Sequence, residues 1–302
     1  MYDIIIIGAG PAGLTAAIYA RRASKTVLVL EALSYGGQII NTPDIENYPA
    51  AAHISGFDFA TKVYEQAQAL GAEFVFEKAV GIKDGGSTKE VVTTDNKYTA
   101  KAVIIATGSE NRKLGLDNEE ALVGRGVSYC ATCDGAFYRG KTVAVAGGGN
   151  TALEDALYLS DLAETVYLIH RRDAFRGDEA TVNALKERKN VKFIYNSSVT
   201  KLVADKRLTA IEVTDKNTGT VTTLDINGLF VAIGRIPENR NFAQLIKLDD
   251  SGYIEAGEDC LTNVPGIFAA GDNRTKSVRQ LVTAAADGAV AATAAVRSVE
   301  GL

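Results

Sequence analysis

Two thiols and an acid carry the most reactive chemistry that the 302 residues offer. Cys130-Ala131-Thr132-Cys133 is followed directly by Asp134 and Gly135. A C-x-x-C pair serves as half of a zinc site or as a disulfide exchanger, or it arises by accident. Zinc wants about four ligands. Only Cys260, His53 and His170 remain outside the pair, and His170 is claimed by a nucleotide below. No metal site is therefore expected. Two intervening residues let the sulfurs close a small, reducible ring whose dithiol form has at least one acidic thiol. Asp134 suits proton exchange if burial raises its affinity for protons, and otherwise suits a turn or cap. Cys260, in Asp259-Cys260-Leu261-Thr262, has no partner nearby in sequence and reads as structural.

The next reactive set is basic. Arg171, Arg172 and Arg176 follow His170 at the end of an apolar run, 166–169 (Val-Tyr-Leu-Ile). Upstream stand another apolar run, 142–146, and the loop Gly147-Gly148-Gly149-Asn150-Thr151-Ala152. Leu153, Ala156, Leu157 and Ser160 then recur at helical spacing. The same order opens the chain: 4–7 (Ile-Ile-Ile-Ile), Gly8-Ala9-Gly10-Pro11-Ala12-Gly13, a helix on Leu14, Ala17 and Ile18, the run 27–30, and Glu31. This is the dinucleotide fingerprint in its required context. The first glycine makes the tight turn, the second admits the pyrophosphate, the third lets helix and strand close, and the acid accepts from a ribose hydroxyl. Glu31 and His170 stand equally far from the first glycine of their loops. Replacing the acid and adding guanidinium groups is how such a fold accepts a 2′-phosphate. The first loop thus suits an adenosine with free ribose hydroxyls and the second suits NADPH. Two such sites beside a disulfide predict electron transfer between two cofactors.

The elements that must position these groups are buried parallel strands. Further apolar runs ending in glycine lie at 101–108, 228–234 and 266–272, as central strands that stop beneath a ligand do. Gly271 and Asp272 are expected to touch a cofactor. The length predicts two domains. A net charge of −5 with no Lys/Arg run gives no reason to bind nucleic acid. The opening apolar run is far shorter than the roughly 20 residues of a membrane helix. No signal peptide is read at the start, and three cysteines are too few for a secreted scaffold. A cytoplasmic protein without a membrane anchor is expected.

Together, Cys130 to Gly135, Gly147 to Ala152 and the His-Arg-Arg-x-x-x-Arg run 170–176 resemble bacterial-type, low-molecular-weight thioredoxin reductase. Gly36-Gly37-Gln38, Glu46-Asn47-Tyr48-Pro49, and the stretch from Gly271-Asp272 to Arg279-Gln280 follow in that family's order, so the resemblance runs the whole chain. It implies a homodimeric enzyme passing electrons from NADPH through FAD to its disulfide and then to thioredoxin. FAD would lie against Gly8, Gly10, Pro11, Ala12, Gly13, Glu31, Ala32, Gly36, Gly37, Gln38, Asn47, Gly271, Asp272, Arg279, Gln280 and Leu281. NADPH would take Gly147, Gly149, Asn150, Thr151, Ala152, His170, Arg171, Arg172 and Arg176. Cys133 would exchange electrons with the flavin, Cys130 would attack thioredoxin, and Asp134 would supply the proton.

The implied fold is α/β, with two dinucleotide-binding (Rossmann-like) domains, the NADPH domain inserted into a discontinuous FAD domain. Residues 1–113 and 242–302 would bind FAD, and residues 114–241 would bind NADPH and carry the redox pair. The polar stretches 110–113 and 237–240 read as links that could bend, letting the insert present nicotinamide and disulfide alternately to the flavin. The chain departs from the family pattern at residues 114–119, which replace the usual Pro-Gly-Glu, and at Asn150-Thr151, where Asp-Ser is commoner. Asp178 and Glu179 add acids after Arg176. Reductases fed by ferredoxin or flavodoxin, and dithiol oxidases, would be expected to lose the second nucleotide motif. A ferredoxin–NADP reductase would lack the C-x-x-C, and nothing in the chain recommends a purely regulatory flavoprotein.

Overall fold

Uninterrupted apolar runs make strands where both faces of a sheet are covered, and one such run, residues 4–7, ends the first strand, Tyr2–Ile7. The computed structural model describes residues 1–302 except Pro43 and Ala52. It divides into two units, Met1–Glu110 with Ile236–Leu302, and Asn111–Arg235.

In the first unit the described residues build a seven-stranded sheet. Glu73–Val75, Val27–Leu30 and Tyr2–Ile7 run parallel in that spatial order. The long strand Lys97–Ile105 pairs in parallel with Tyr2–Ile7 and, at its end, with Ile267–Ala269. Its beginning pairs antiparallel with Lys89–Thr93, which pairs in turn with Ala79–Asp84. Alternate side chains explain the runs. Ile4, Ile6, Val27, Val29 and Ile104 pack under helices, while Ile5, Ile7, Leu28, Leu30 and Ile105 pack on the other face with Phe242, Ile246 and Ile254. Helices Pro11–Arg22 and Leu281–Glu300 meet through small residues, Ala16, Ala17 and Ala20 against Ala291, Ala292 and Ala295. A β-carbon on Gly288 would stand 2.2 Å from the Ala12 carbonyl oxygen, so this crossing needs glycine.

The second unit repeats the plan. Its described residues form a parallel five-stranded sheet, with Val191–Ile194, Thr165–Ile169, Thr142–Gly147, Gly228–Ala232 and Val127–Ser128 in spatial order. One face packs on helix Asn150–Ser160 through Leu153, Ala156 and Leu159. The other packs on an antiparallel three-stranded sheet, Ser197–Ala204, Leu208–Asp215 and Val221–Asp225, through Val199, Ile211 and Val213.

The chain crosses between units at 110/111 and 235/236, earlier than the expected 113/114 and 241/242. Both crossings lie in short strands, Ser109–Asn111 and Arg235–Pro237. Within 237–240, Glu238 and Arg240 are exposed, but the middle of the stretch is tied down. Asn239 is fully buried, and its amide donates to the carbonyls of Gly252 at 2.9 Å and Asn273 at 2.7 Å. The three expected core strands end sooner than their apolar runs, at Ile105, Ala232 and Ala269. The glycines beyond them, Gly108, Gly234 and Gly271, all have positive φ.

The first unit also hides an ion cluster. Asp287 on the last helix is 5% exposed and accepts from Arg274 Nε at 2.9 Å, Arg274 Nη2 at 2.8 Å, Lys276 Nζ at 2.9 Å and the Gly271 amide at 2.9 Å. Burial pushes its carboxyl up, but these donors outweigh burial and hold it below the ordinary carboxylate value. Removing the acid strands a buried guanidinium and ammonium, so Asp287→Ala should cost about 3–5 kcal/mol in denaturant unfolding. Because the folded value is depressed, the stability it contributes is present above the unfolded carboxylate value and is lost as pH falls. Urea midpoints should therefore fall more steeply on acidification in the natural protein than in Asp287→Asn.

Candidate cofactor and redox sites

The first glycine loop is tight for identifiable reasons. Gly8 has φ of +109°, and a β-carbon there would lie 2.4 Å from the Ala106 carbonyl oxygen. A β-carbon on Gly13 would lie 1.9 Å from the Gly8 oxygen, which is the helix–strand closeness that the third glycine permits. Gly10 has only the Gly37 Cα at 4.0 Å and leaves the loop open on that side. Helix Pro11–Arg22 starts with proline and has no side-chain cap on Gly10, so its first amides stay available to an anion.

The other expected first-site residues gather around this loop. Glu31 accepts the Ala9 amide at 2.8 Å and the Leu33 amide at 3.0 Å, one on each oxygen, and keeps lone pairs for a ribose diol. Ala32 lies between the two residues so joined. The Gly36 amide donates to the Ala9 carbonyl at 2.8 Å, and a β-carbon on Gly37 would meet the Gly10 Cα at 3.2 Å. Gln38 follows in the short 3-10 helix Gly37–Asn41. Gly271, with φ of +86°, is close enough to Ala12 that a β-carbon would lie 2.9 Å from the alanine methyl. Asp272 comes next, between Gly271, whose amide donates to Asp287, and Asn273, whose side-chain amide donates to the Ile105 carbonyl at 2.9 Å. Asn47 donates to Gln280 at 3.2 Å, and Gln280 caps helix Leu281–Glu300 with Thr283 in a reciprocal capping box. The Arg279 guanidinium lies 4.2 Å over the Tyr253 ring and donates to the Arg274 carbonyl at 3.3 Å. Its Nε is buried with no partner among the described residues. A cradle of glycines with an anion-ready helix start and a buried spare donor fits a dinucleotide.

The second loop is built alike but charged differently. A β-carbon on Gly147 would lie 2.3 Å from the Ala232 oxygen and 2.6 Å from the Ala152 methyl, while nothing stands within 4 Å of one on Gly149. Asn150 and Thr151 open helix Asn150–Ser160, whose N-cap, Gly149, has no side-chain cap. His170 is 4% exposed and lies beneath the loop, so that a β-carbon on Gly148 would meet its Nδ1 at 2.1 Å. Its ring stacks on Phe175 at 5.3 Å, and its buried Nε2 has no partner among the described residues. Burial pulls its pKa down. A backbone hydrogen bond at Ala174 opposes this, while Arg176, Arg171 and Arg172 reinforce it, so the imidazole is neutral at pH 7. The basic run is fastened to the loop, since the Arg176 amide donates to the Gly148 carbonyl at 2.8 Å. All three arginines are exposed, and among the described residues none is in a salt bridge. The nearby acid Asp178 is engaged elsewhere: its carboxylate caps helix Glu179–Lys186 through the Thr181 amide.

In the same unit Cys130 and Cys133 form a disulfide with Cα atoms 5.3 Å apart, and Cys130 is the N-cap of the single-turn helix Ala131–Asp134. The Asp134 carboxylate accepts from Ser128 Oγ at 2.6 Å. Upstream, Glu119 is 2% exposed and collects the amides of Leu114 at 2.9 Å and Gly115 at 2.8 Å, and the Tyr129 hydroxyl at 2.7 Å. Burial and then that carboxylate push the Tyr129 phenol up. Cys260 is in the other unit, fully buried, with Sγ 3.6 Å from the Asp287 carbonyl; burial pushes its thiol up to about 12. It stays an inert thiol at neutral pH.

A family model described as pyridine nucleotide-disulphide oxidoreductase matches residues 2–288. The thioredoxin reductase of Listeria monocytogenes is 44% identical over 303 aligned residues, covering 100% of this chain and 95% of its own. That of Bacillus subtilis is 42% identical, with coverage of 100% and 96%. The crystal structure of thioredoxin reductase from Streptococcus pyogenes superposes with a TM-score of 0.95 at 40% identity, covering 100% of this chain and 99% of that one. The chain belongs to the thioredoxin reductases. Its two-domain Rossmann-type fold is that of these relatives.

Three supporting residues lie outside the motifs. Ser128 reaches the redox turn from upstream, Glu119 holds the Tyr129 hydroxyl next to it in the chain, and Asp287 braces Gly271 from a distant helix. Only Glu119 had a signal, an acid within the stretch that departs from the family pattern.

The two loops separate folding from binding. Gly147→Ala must push a methyl into a backbone carbonyl and should lower thermal stability by several degrees or more. Gly149→Ala meets open space and should leave the melting temperature within a degree or two. Its cost, if a pyrophosphate approaches there, should be at least a tenfold weaker nucleotide affinity by calorimetry.

Proposed function

We propose that the protein is an NADPH-dependent, FAD-containing thioredoxin-disulfide reductase that works as a homodimer in the cytoplasm. The unit of residues 1–110 and 236–302 holds FAD in this reading, and the unit of residues 111–235 holds NADPH. The observation that carries it is the Cys130–Cys133 disulfide in the unit that also holds the glycine loop 147–152 and, beyond strand Thr165–Ile169, three exposed arginines outside any salt bridge among the described residues. The relatives' names point the same way. Among the described residues no helix is long and apolar enough to cross a membrane.

The flavin, when bound, supplies a two-electron carrier between hydride donor and disulfide. The first cradle orients it: Glu31 receives the ribose hydroxyls, the amides after Gly10 meet the pyrophosphate, and Asp272, Arg279 and Gln280 line the rest. In the second unit Arg171, Arg172 and Arg176 bind the 2′-phosphate, and neutral His170 closes the pocket floor. Once the pair is reduced, the Cys130 thiolate attacks the thioredoxin disulfide and forms a mixed disulfide, releasing one thioredoxin thiolate that takes a proton. The Cys133 thiolate then attacks Cys130, restores the internal disulfide and frees the second thioredoxin thiolate. Asp134 delivers and collects the protons.

Oxidised thioredoxin with FAD and NADPH should give NADPH consumption that Cys130→Ser or Cys133→Ser abolishes, while Cys260→Ser keeps most of the rate. Flavin reduction by NADPH in single turnover should survive both redox-pair substitutions. A colourless protein that takes up no FAD, or turnover that survives loss of the pair, would sink the reading.

Cofactor choice should rest on the arginines. Losing charge-assisted contacts costs about 1.5–3 kcal/mol, or roughly 10- to 150-fold. Arg171→Ala combined with Arg172→Ala should raise the KM for NADPH by that factor and leave the KM for NADH nearly unchanged. Equal damage to both would mean that these arginines only support the loop.

A further inference from the structure

Ser128 closes the strand Val127–Ser128 and is 3% exposed. Its hydroxyl has one proton and two acceptors in reach, the Asp134 carboxylate at 2.6 Å and the Cys130 carbonyl at 3.3 Å. The same oxygen accepts the Cys130 amide at 3.1 Å. A hydroxyl donates once and accepts twice, so the two acceptors are served in turn. The shorter contact lies in the range of a charge-assisted O–H···O⁻ bond, and an ionised Asp134 therefore captures the proton. A protonated Asp134 reverses the chain. Its own O–H then donates to Ser128 Oγ, and the serine proton turns to the Cys130 carbonyl. In both states the Cys130 amide keeps its acceptor.

We propose that Ser128 is a positioning residue whose hydroxyl swings between Asp134 and the Cys130 carbonyl as Asp134 loses and gains the proton of disulfide exchange. The inference rests on the reading of Asp134 as that proton group. Only O–H bonds change: Asp134 takes up or gives off one proton, and the serine proton changes acceptor without leaving its oxygen. The backbone of Cys130, whose carbonyl also accepts the Asp134 amide at 3.1 Å, is thus held still while the charge beside it changes. Ser128 also biases the acid, because donation to a carboxylate favours its ionised form.

Other titratable groups lie on the elements packed against this turn. Tyr138 follows on Gly135–Tyr138, and helix Asn150–Ser160 carries Glu154, Asp155 and Tyr158. Burial, aided by Glu154, pushes Asp155 up to about 7, and burial and then the Asp134 charge push the Tyr138 phenol up, with Arg207 opposing. The limb belonging to Asp134 must therefore be identified by substitution.

The test is the pH dependence of reoxidation of NADPH-reduced enzyme by oxidised bacterial thioredoxin in stopped flow. Asp134→Asn should remove one limb of the profile. Ser128→Ala should keep that limb and move it upward by roughly one pH unit, the effect of losing a hydrogen bond to a charged acceptor. Ser128→Thr, which retains the hydroxyl, should bring it back. Infrared difference spectra of the protonated carboxyl band, taken on the resting disulfide form as pH falls, should show the same order without turnover, even if Ser128→Ala turns over poorly. A limb and a band that stay in place in Ser128→Ala while Asp134→Asn removes them would overturn the serine's part alone. If Asp134→Asn leaves every limb and the band intact, the reading of Asp134 falls and takes this inference with it.

Discussion

A β-carbon on Gly13 would stand 1.9 Å from the carbonyl oxygen of Gly8, and most of the first unit is arranged to make that closeness possible. The strand before the loop must end at a residue tolerating φ of +109°, and the helix after it must begin almost in contact with the turn. Strand Tyr2–Ile7 can be placed there only because both of its faces are covered, by the alanine-lined helices on one side and by Phe242, Ile246 and Ile254 on the other. The final helix helps through Gly288, which lies against the Ala12 carbonyl and brings Asp287 beside Gly271. One backbone approach thus ties together residues from both ends of the chain.

The second unit solves the same problem with different side chains. Gly147 takes the place of Gly8 against the Ala232 carbonyl, and Ala152 stands where the third glycine would be. An alanine methyl is tolerated there because the loop glycine opposite it offers only hydrogens. The repeated geometry gives one chain two glycine loops of similar shape. The redox turn lies in the polypeptide just before the second glycine loop, so disulfide and loop share one sheet through the neighbouring strands Val127–Ser128, Gly228–Ala232 and Thr142–Gly147.

Much of this is legible in the sequence, because spacing and apolar runs reflect local constraints. The two loops, their helices and the matched positions of Glu31 and His170 follow from glycine chemistry and strand length. What escapes is what depends on distant backbone. The stretch 237–240 looks like a polar link, but Asn239 is polar because two buried carbonyls, at Gly252 and Asn273, need its amide. Asp287 is one acid in an alanine-rich helix, and nothing local marks it as the counter-ion of Arg274 and Lys276. Ser128 is likewise an ordinary strand-end serine until the helical turn of 131–134 brings Asp134 back to it. Single-sequence reading recovers contacts written in one segment, and it misses pairs whose partner is fixed only by the fold.

The contrast between Glu31 and His170, at matched positions after the two loops, shows why a residue type alone does not decide a ligand. Glu31 is ionisable, yet each of its oxygens already accepts a backbone amide, so it is oriented before any ligand arrives. A fixed carboxylate attracts hydroxyl donors and repels phosphate. At the corresponding place His170 is tucked under Gly148 and held neutral by burial, so it contributes shape without charge. The positive field comes instead from Arg171, Arg172 and Arg176 on the exposed turn beyond it. Asp178 lies two residues from Arg176 but spends its carboxylate on the Thr181 amide at a helix start, where the helix dipole also favours it. Its negative charge is thereby directed into the helix end, and the arginines remain available to a doubly charged group. The discrimination lies in which charges are already engaged, and that is set by the backbone amides around them.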